Sequence, residues 1–338
     1  MVTIRMIAKK CGCSTATVSK ALNSAPDISA ETAQRIRKAA IEMGYTPNAA
    51  ARALKTSRSH SFGVLFEDAT NSGLTHEFFS TILNSFKRRA EELGYDICFI
   101  SDRLGRQDIS YTEHARYRNC DGVLIASVEF SEPAVIELMA SNIPVVTIDY
   151  IHDNCGSVLS DNPKGMTDLV HYIYSMGHRK IAFIHGEDTA VTKLRVASFH
   201  RACRELGLEI PDEYVISAFY HDPTTTGQFT RKLLELKDPP TCIIYPDDIS
   251  YIGGMYEIEK MGLSIPEDIS TAGYDGIKLS QIFRPRLTTL HQDAEAMGIR
   301  AAEELARSVE EGKFYIPGRI TIPGTVYPGG TVKKIQTP

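Results

Sequence analysis

Thr3-Ile4-Arg5-Met6-Ile7-Ala8-Lys9-Lys10-Cys11-Gly12-Cys13-Ser14-Thr15-Ala16-Thr17-Val18-Ser19-Lys20-Ala21-Leu22-Asn23 decides the reading of this 338-residue chain. Thr3 stands where a helix cap belongs, ahead of Ile4, Ile7 and Ala8 on one apolar side. Gly12 supplies a tight turn. Ser14 can cap a second helix over residues 15–22, in which Val18 and Leu22, four apart, face inward with Ile4 and Ile7. Asn23-Ser24-Ala25-Pro26-Asp27 reads as a loop. Ser29 can cap a third helix, with Ala33, Ile36, Ala40 and Met43 on its apolar side, closing at Gly44. Two helices separated by a short glycine-containing turn form a helix-turn-helix. The outer side of the second helix carries Thr15, Ala16, Ser19, Lys20 and Asn23. Such a face fits a major groove, where hydroxyls and amides meet phosphates, lysine reaches guanine and a methyl group meets thymine.

Charge is divided along the chain. Residues 1–60 hold ten lysines and arginines against three acids, a net of +7, so the rest carries −12 of the overall −5. A basic arm on an acidic body is the electrostatic footprint of nucleic-acid binding. A solvated basic helix surface would give the same count. Hydrophobic content of 43% and charged content of 23% are ordinary for a globular chain, and the length suggests two or three folding units. No apolar run approaches the roughly 20 residues a bilayer needs. The first residues lack the apolar centre of a secretory signal, which predicts a cytoplasmic protein. The seven cysteines are irregularly spaced and show no paired CxxC motif, so no metal is expected. Cys11 and Cys13 read as small residues of a mini-core in preference to a redox or metal switch.

The segment 3–23 strongly resembles the headpiece of the LacI/GalR family of transcription regulators, and Gly44-Tyr45-Thr46-Pro47-Asn48 matches that family's joint between headpiece and hinge. The resemblance implies a DNA-contacting set of Thr3, Ser14, Thr15, Ala16, Thr17, Ser19, Lys20, Asn23, Tyr45, Asn48, Leu54 and Lys55. Ala49-Ala50-Ala51-Arg52-Ala53-Leu54-Lys55 reads as a short helix, marginal alone in water. By resemblance it is the hinge helix that orders on operator DNA against its dimer mate, with Leu54 wedged into a minor-groove step. A simple linker is the alternative.

Beyond residue 60, apolar strands alternate with helices. Strands are predicted at 62–66, 96–100, 122–126, 145–148, 181–185, 242–245 and 270–274. Helices are predicted at 78–93, 133–140, 165–176, 195–206, 226–236 and 250–261. The alternation implies parallel sheets with helices on both faces, and two such units in tandem imply a ligand cleft at the strands' carboxyl ends. The family resemblance continues through Ser175-Met176-Gly177-His178-Arg179-Lys180-Ile181-Ala182-Phe183-Ile184, Ile265-Pro266-Glu267-Asp268-Ile269-Ser270 and Leu287-Thr288-Thr289-Leu290. It implies a periplasmic-binding-protein-like (type I) core with chain crossovers near Asp161, near His291–Gln292 and near Ile322–Pro323.

The expected fold class is therefore an all-α helix-turn-helix headpiece plus an α/β two-subdomain core. Its expected divisions are a headpiece over 1–46, a hinge and linker over 47–60, and an effector-binding and dimerisation domain over 61–338. That domain divides into an N-subdomain of about 61–160 and 292–322 and a C-subdomain of about 161–291 and 323–338.

Pocket residues follow from the resemblance one at a time. Arg195 matches the arginine that clamps the effector, and Asp275 an acid that accepts its hydrogen bonds. Asp161 precedes Asn162 as in the family, Asp247 stands where many members have asparagine, and Tyr220 offers an aromatic platform. Asn71-Ser72-Gly73-Leu74-Thr75-His76-Glu77 lengthens the loop after the first strand relative to the family. It either brings His76 or Glu77 to the effector or packs outside.

The expected function is a homodimeric, sequence-specific repressor of pseudo-palindromic operator DNA, controlled by a small-molecule effector, with a sugar favoured over a purine or protein corepressor. No cofactor is expected. A solute-binding protein would fit the body but not the headpiece. No P-loop, GxSxG or HExxH motif supports an enzyme.

Overall fold

The computed structural model describes residues 2–22, 25, 27–45, 58–67 and 73–336. They fall into two compact units, 1–59 and 60–338. Asn23, Asn48, Leu54, Lys55 and the whole segment read as a hinge helix lie outside the described residues.

The first unit contains α1 (Ile4–Cys11), α2 (Thr15–Leu22) and α3 (Ala30–Glu42). Ser14 Oγ accepts from the Thr17 backbone N–H at 3.0 Å, and Ser29 Oγ from that of Thr32 at 3.3 Å, so both expected serine caps form. Thr3 differs. Its side chain caps nothing, and it is the Thr3 carbonyl that accepts from the Met6 and Ile7 amides. Gly12, at φ 62°, ends α1 in the left-handed conformation that glycine adopts without a Cβ clash. Ile7, Val18 and Ile36 are fully buried, one from each helix, and lock the three together. Cys11 and Cys13 pack against this mini-core.

The second unit holds two sheets. Its elements are β1 (Ser61–Phe66), α4 (Glu77–Glu92), β2 (Asp96–Ile100), a small hairpin of β3 (Arg103–Leu104) and β4 (Gln107–Asp108), α5 (Tyr111–Tyr117), β5 (Gly122–Ala126), α6 (Pro133–Ala140), β6 (Val145–Ile148) and β7 (Gly156–Ser160). The chain continues through α7 (Asn162–Ser175), β8 (Ile181–His185), α8 (Ala190–Glu205), β9 (Val215–Ser217), α9 (Pro223–Leu234), β10 (Cys242–Ile244), α10 (Ser250–Lys260), β11 (Ser270–Asp275), β12 (Thr288–His291), α11 (Ala294–Glu311), β13 (Arg319–Ile322) and β14 (Thr325–Tyr327). One sheet runs β13-β7-β6-β5-β1-β2 and is parallel throughout. The other runs β14-β12-β11-β10-β8-β9 and is parallel except for β14, which closes one edge against β12. The chain changes sheet between β7 and α7, between β12 and α11, and between β13 and β14.

Each sheet is covered on both faces. Phe62, Val64, Leu124 and Val146 meet Ile82 and Phe86 of α4 and Met297 and Leu305 of α11. The opposite face meets α5 and α6 through Leu65, Val123, Ile125, Leu138 and Met139. In the second sheet α7 and α8 cover one face and α9 and α10 the other. Burial on both faces explains why the central strands are continuous apolar runs.

Three helices begin earlier than their apolar pattern suggests. Asp161, Thr189 and Asp222 each accept backbone N–H groups as caps, and Pro163 and Pro223 sit in the first turn, where a missing N–H costs nothing. The 18-residue α11 shows little apolar pattern in the sequence, because its buried side includes Ala294, Ala301, Ala302 and Ala306 in place of large apolar residues. Those small residues let α11 lie close to α4. At Gly298 a Cβ would collide with Ser85 Oγ and the backbone carbonyl of Ile82. Gly298→Ala should therefore lower stability by about 1–3 kcal/mol, the usual cost of overpacking. The check is the urea midpoint of the purified variant against wild type.

Candidate functional site

The headpiece presents one polar helix face. Val18 and Ala21 bury the inner side of α2, which leaves Thr15, Ala16 and Lys20 exposed and Thr17 and Ser19 partly so. Ser14 and Thr17 are engaged with each other, their hydroxyl oxygens 2.9 Å apart. The Lys20 ammonium pairs with the Asp27 carboxylate in the following loop. That pair is exposed on both sides, so it is weak and breakable. Tyr45 packs against the mini-core and Thr3 is exposed.

In the second unit a cleft of about 570 Å³ lies at the carboxyl ends of both sheets. Its walls follow the strand ends: Glu67 after β1, Ser127 after β5, Asp149 and Tyr150 after β6, Glu187 after β8, Asp275 at the end of β11 and Gln292 after β12. Non-glycine residues rarely adopt positive φ, and the cost is about 1–3 kcal/mol each where they do. Among the described residues six do so, and four of them line this cleft: Ser127 (55°), Asp149 (54°), His221 (54°) and Asp275 (98°). Such strain persists where the surroundings over-determine it, which marks this cleft as a functional site.

Arg195 anchors the floor, only 5% exposed. Its Nε donates to Asn162 Oδ1 at 2.7 Å and its Nη1 to the Pro246 carbonyl at 3.3 Å. Two of the five guanidinium N–H donors are thereby used. The guanidinium lies 3.6 Å above the Tyr274 ring. Asp275 accepts from Gln292 Nε2 at 2.7 Å. Burial pushes the Asp275 carboxyl above its ordinary range, with Arg195 opposing the shift. Gln292, 2% exposed, keeps its Oε1 without a protein partner among the described residues. Tyr220 lies against Gly186, where any Cβ would strike its ring, and its hydroxyl is 2.9 Å from that of Thr192.

His76 directly precedes α4 and lines the cleft, stacked on His221 with ring centroids 3.7 Å apart. The longer loop thus places His76 inside. Glu77 points elsewhere and accepts from the Lys278 backbone N–H at 2.8 Å.

Two expected effector residues do not line the cleft. Asp161 is consumed as the cap of α7, accepting from the Lys164 N–H at 3.0 Å. Asp247 accepts four hydrogen bonds, from the backbone N–H groups of His221, Ile249 and Ser250 and from the Ser250 hydroxyl. Asn162 and Pro246, their chain neighbours, reach Arg195 in their place. The cleft also includes residues not foreseen. Phe130 and Tyr150 stack in parallel at 4.0 Å as an aromatic wall, and Asp149, Glu187, His221 and Gln292 add polar groups. Their common signal is position just beyond a strand's carboxyl end, as with Asp149 directly after the apolar run 145–148.

Residues 3–48 match the profile of the bacterial regulatory proteins, lacI family, and residues 170–332 that of a periplasmic binding protein-like domain. The HTH-type transcriptional repressor PurR of Pasteurella multocida is 31% identical over 317 residues, spanning 92% of this chain and 93% of its own. The chain belongs to the LacI family. The probable HTH-type transcriptional repressor ExuR of Bacillus subtilis is likewise 31% identical, covering 92% of each chain. Among solved structures, the lac repressor dimer bound to operator and the anti-inducer ONPF aligns with a TM-score of 0.79 at 24% identity, covering 98% of this chain and 99% of that one. A CelR–cellobiose complex aligns with a TM-score of 0.71 at 21% identity, covering 98% and 100%. At those identities the structural likeness is one of fold. As a LacI-family member the chain is a DNA-binding transcriptional repressor, and its family works as transcriptional regulators and not as enzymes. No helix of the described residues is long and apolar enough to cross a membrane.

Asp149 gives the cleft a pH signature. Loss of solvent raises its carboxyl to about 6, against the hydrogen bond from the Ser160 N–H and the charge of Arg195. An acid whose folded pKa exceeds its unfolded value binds its proton more tightly when folded. Its contribution is present at low pH and is lost as pH rises from about 4 through 6. Asp149→Asn keeps an acceptor for the Ser160 N–H but never ionises. Its melting temperature should match wild type near pH 4 and exceed it at pH 7.

Proposed function

We propose that this LacI-family repressor reads a pseudo-palindromic operator as a homodimer and is released or retained there by a neutral sugar held in the cleft. The carrying observation is the cleft lining. Arg195 shares the cleft with carboxylates from both sheets, the orphaned Oε1 of Gln292 and the flat Phe130–Tyr150 pair. Sugar hydroxyls both donate and accept, so they satisfy carboxylates, Gln292 Oε1 and the guanidinium together, while an aromatic wall suits the apolar face of a pyranose. Glu67, Glu129, Asp149, Glu187, Asp188 and Asp275 outnumber Arg195 and the two histidines, which disfavours phosphorylated ligands. The proposed effector contacts are Arg195, Asp275, Tyr220, His76, Asp149 and Gln292. A ligand that binds open and closed clefts unequally shifts their populations, and through the segment joining the units it shifts operator affinity. We assign the hinge role to residues 49–55, with Leu54 as the minor-groove wedge, and place the protein in the cytoplasm.

A thermal-shift screen of neutral sugars, sugar phosphates and nucleobases tests the effector class. A neutral sugar at a hundredfold excess over its Kd should stabilise by about 2.7 kcal/mol. Stabilisation by nucleobases alone would remove the sugar reading. Arg195→Lys keeps the charge but loses the fork, so it should abolish that shift while leaving operator affinity within about threefold of wild type.

For the DNA face, Lys20 is proposed to exchange Asp27 for a guanine edge. Lys20→Ala should then relax base preference at one operator position by about 1–3 kcal/mol. The measurement is a binding titration against single-base operator variants, and an equal loss on every sequence would mark a phosphate contact instead.

A further inference from the structure

Cys98 and Cys120 lie 22 residues apart in sequence, yet their sulfur atoms are 3.6 Å apart. The sheet explains the approach. Cys98 sits on the edge strand β2, paired with Gly63 of β1, and Cys120 leads into β5 on the other side of β1. Both sulfurs therefore reach over β1 at its glycine. A Cβ at Gly63 would come within 3.2 Å of Cys120 Sγ and 3.1 Å of Val123 Cγ2, so the missing side chain is what makes room for the pair.

We propose that Cys98 and Cys120 form a peroxide-reactive dithiol, with Cys98 the attacking and Cys120 the resolving thiol. Both are partly solvent-exposed, whereas Cys155, Cys203 and Cys242 are buried. Either sulfur of the pair can donate; with Cys98 as acceptor, the hydrogen bond from Cys120 and then the charge of Arg118 lower Cys98 to about 7 against the opposing effect of burial. Burial instead pushes Cys155 and Cys203 up to about 12, where they are inert.

In the first step the Cys98 thiolate attacks one peroxide oxygen and the O–O bond breaks. Hydroxide leaves and is protonated to water, and Cys98 becomes a sulfenic acid. Cys120, on losing its proton, then attacks the Cys98 sulfur; the S–O bond breaks and a second water leaves. Two thiols are oxidised to a disulfide as one hydrogen peroxide is reduced to two waters. The sulfurs must close from 3.6 Å to about 2 Å. An edge strand with one neighbour is the part of the sheet best able to move that far. The product would tie β2 to β5 across β1.

The test uses the full-length reduced protein treated with hydrogen peroxide. Remaining thiols are alkylated, and the unreduced digest is mapped by mass spectrometry. A linked peptide joining Cys98 to Cys120 should accumulate before Cys11 or Cys13 is modified. In Cys120→Ser, dimedone should trap a sulfenic acid at Cys98. Alkylation of Cys98 in the untreated wild type should reach half its maximal rate near pH 7. Recovery of Cys98 and Cys120 as alkylated thiols after Cys11 or Cys13 has reacted would overturn the proposal. A first-formed link to another cysteine would do the same, and so would half-maximal alkylation of Cys98 above pH 8.

Discussion

Arg195, a residue with only 5% of its surface exposed, is the constraint around which the second unit is organised. An isolated buried charge costs several kcal/mol even after relaxation, so Arg195 must be surrounded by compensating groups or not be there. The compensation comes from many parts of the chain. Asn162 opens α7, the Pro246 carbonyl follows β10, and Tyr274 supplies a ring face from β11. The nearby carboxylates are Asp275 from one sheet and Asp149 from the other. Satisfying one cation thus fixes where the ends of several strands lie, and it sets carboxylates from both sheets toward the same point.

That requirement explains why strain collects in the cleft. Ser127, Asp149, His221 and Asp275 bend back over the strand ends with positive φ. The bend aims side chains inward that a regular strand exit would send elsewhere. Asp275 is held in this shape twice by Gln292, which donates its side-chain amide to the carboxylate and its backbone N–H to the Asp275 carbonyl. Gln292 also stands where the chain leaves one sheet for the other, between β12 and α11. The Gln292 acceptor therefore lies on a segment that crosses from one sheet to the other.

The parts of this fold that were legible in the sequence share a physical cause. Strands at 122–126, 145–148 and 181–185 are buried on both faces, so each is a continuous apolar run with no competing signal. Ser14 and Ser29 cap because short hydroxyls ahead of helices have few alternatives. α11 was illegible because alanine serves helix packing and solvent exposure equally well, and close approach to α4 demanded alanine and glycine. The site divides in the same way. Arg195 stood out by resemblance, but an aspartate ahead of a helix is ambiguous between ligand contact and cap. Asp161 proves to be a cap and Asp247 is taken up by hydrogen bonds from His221, Ile249 and Ser250, and nothing local separates them from Asp275, which is held in the cleft by a Gln292 contact 17 residues away. The Cys98–Cys120 approach was equally hidden, since it depends on a glycine in a third strand.

The division of charge between the units completes the picture. A net of +7 over residues 1–60 draws the chain to a polyanion, while the rest carries −12 and lines its cleft with six carboxylates. A polyanion is attracted to the first unit, whereas the acids of the second disfavour phosphate in its cleft. Within the basic unit, Asp27 holds Lys20 through a solvent-exposed pair that is weak and breakable. In the proposed exchange, discrimination would arise only where the lysine gains more from a guanine edge than it loses with Asp27, so the exposed pair would act as a threshold on base contact.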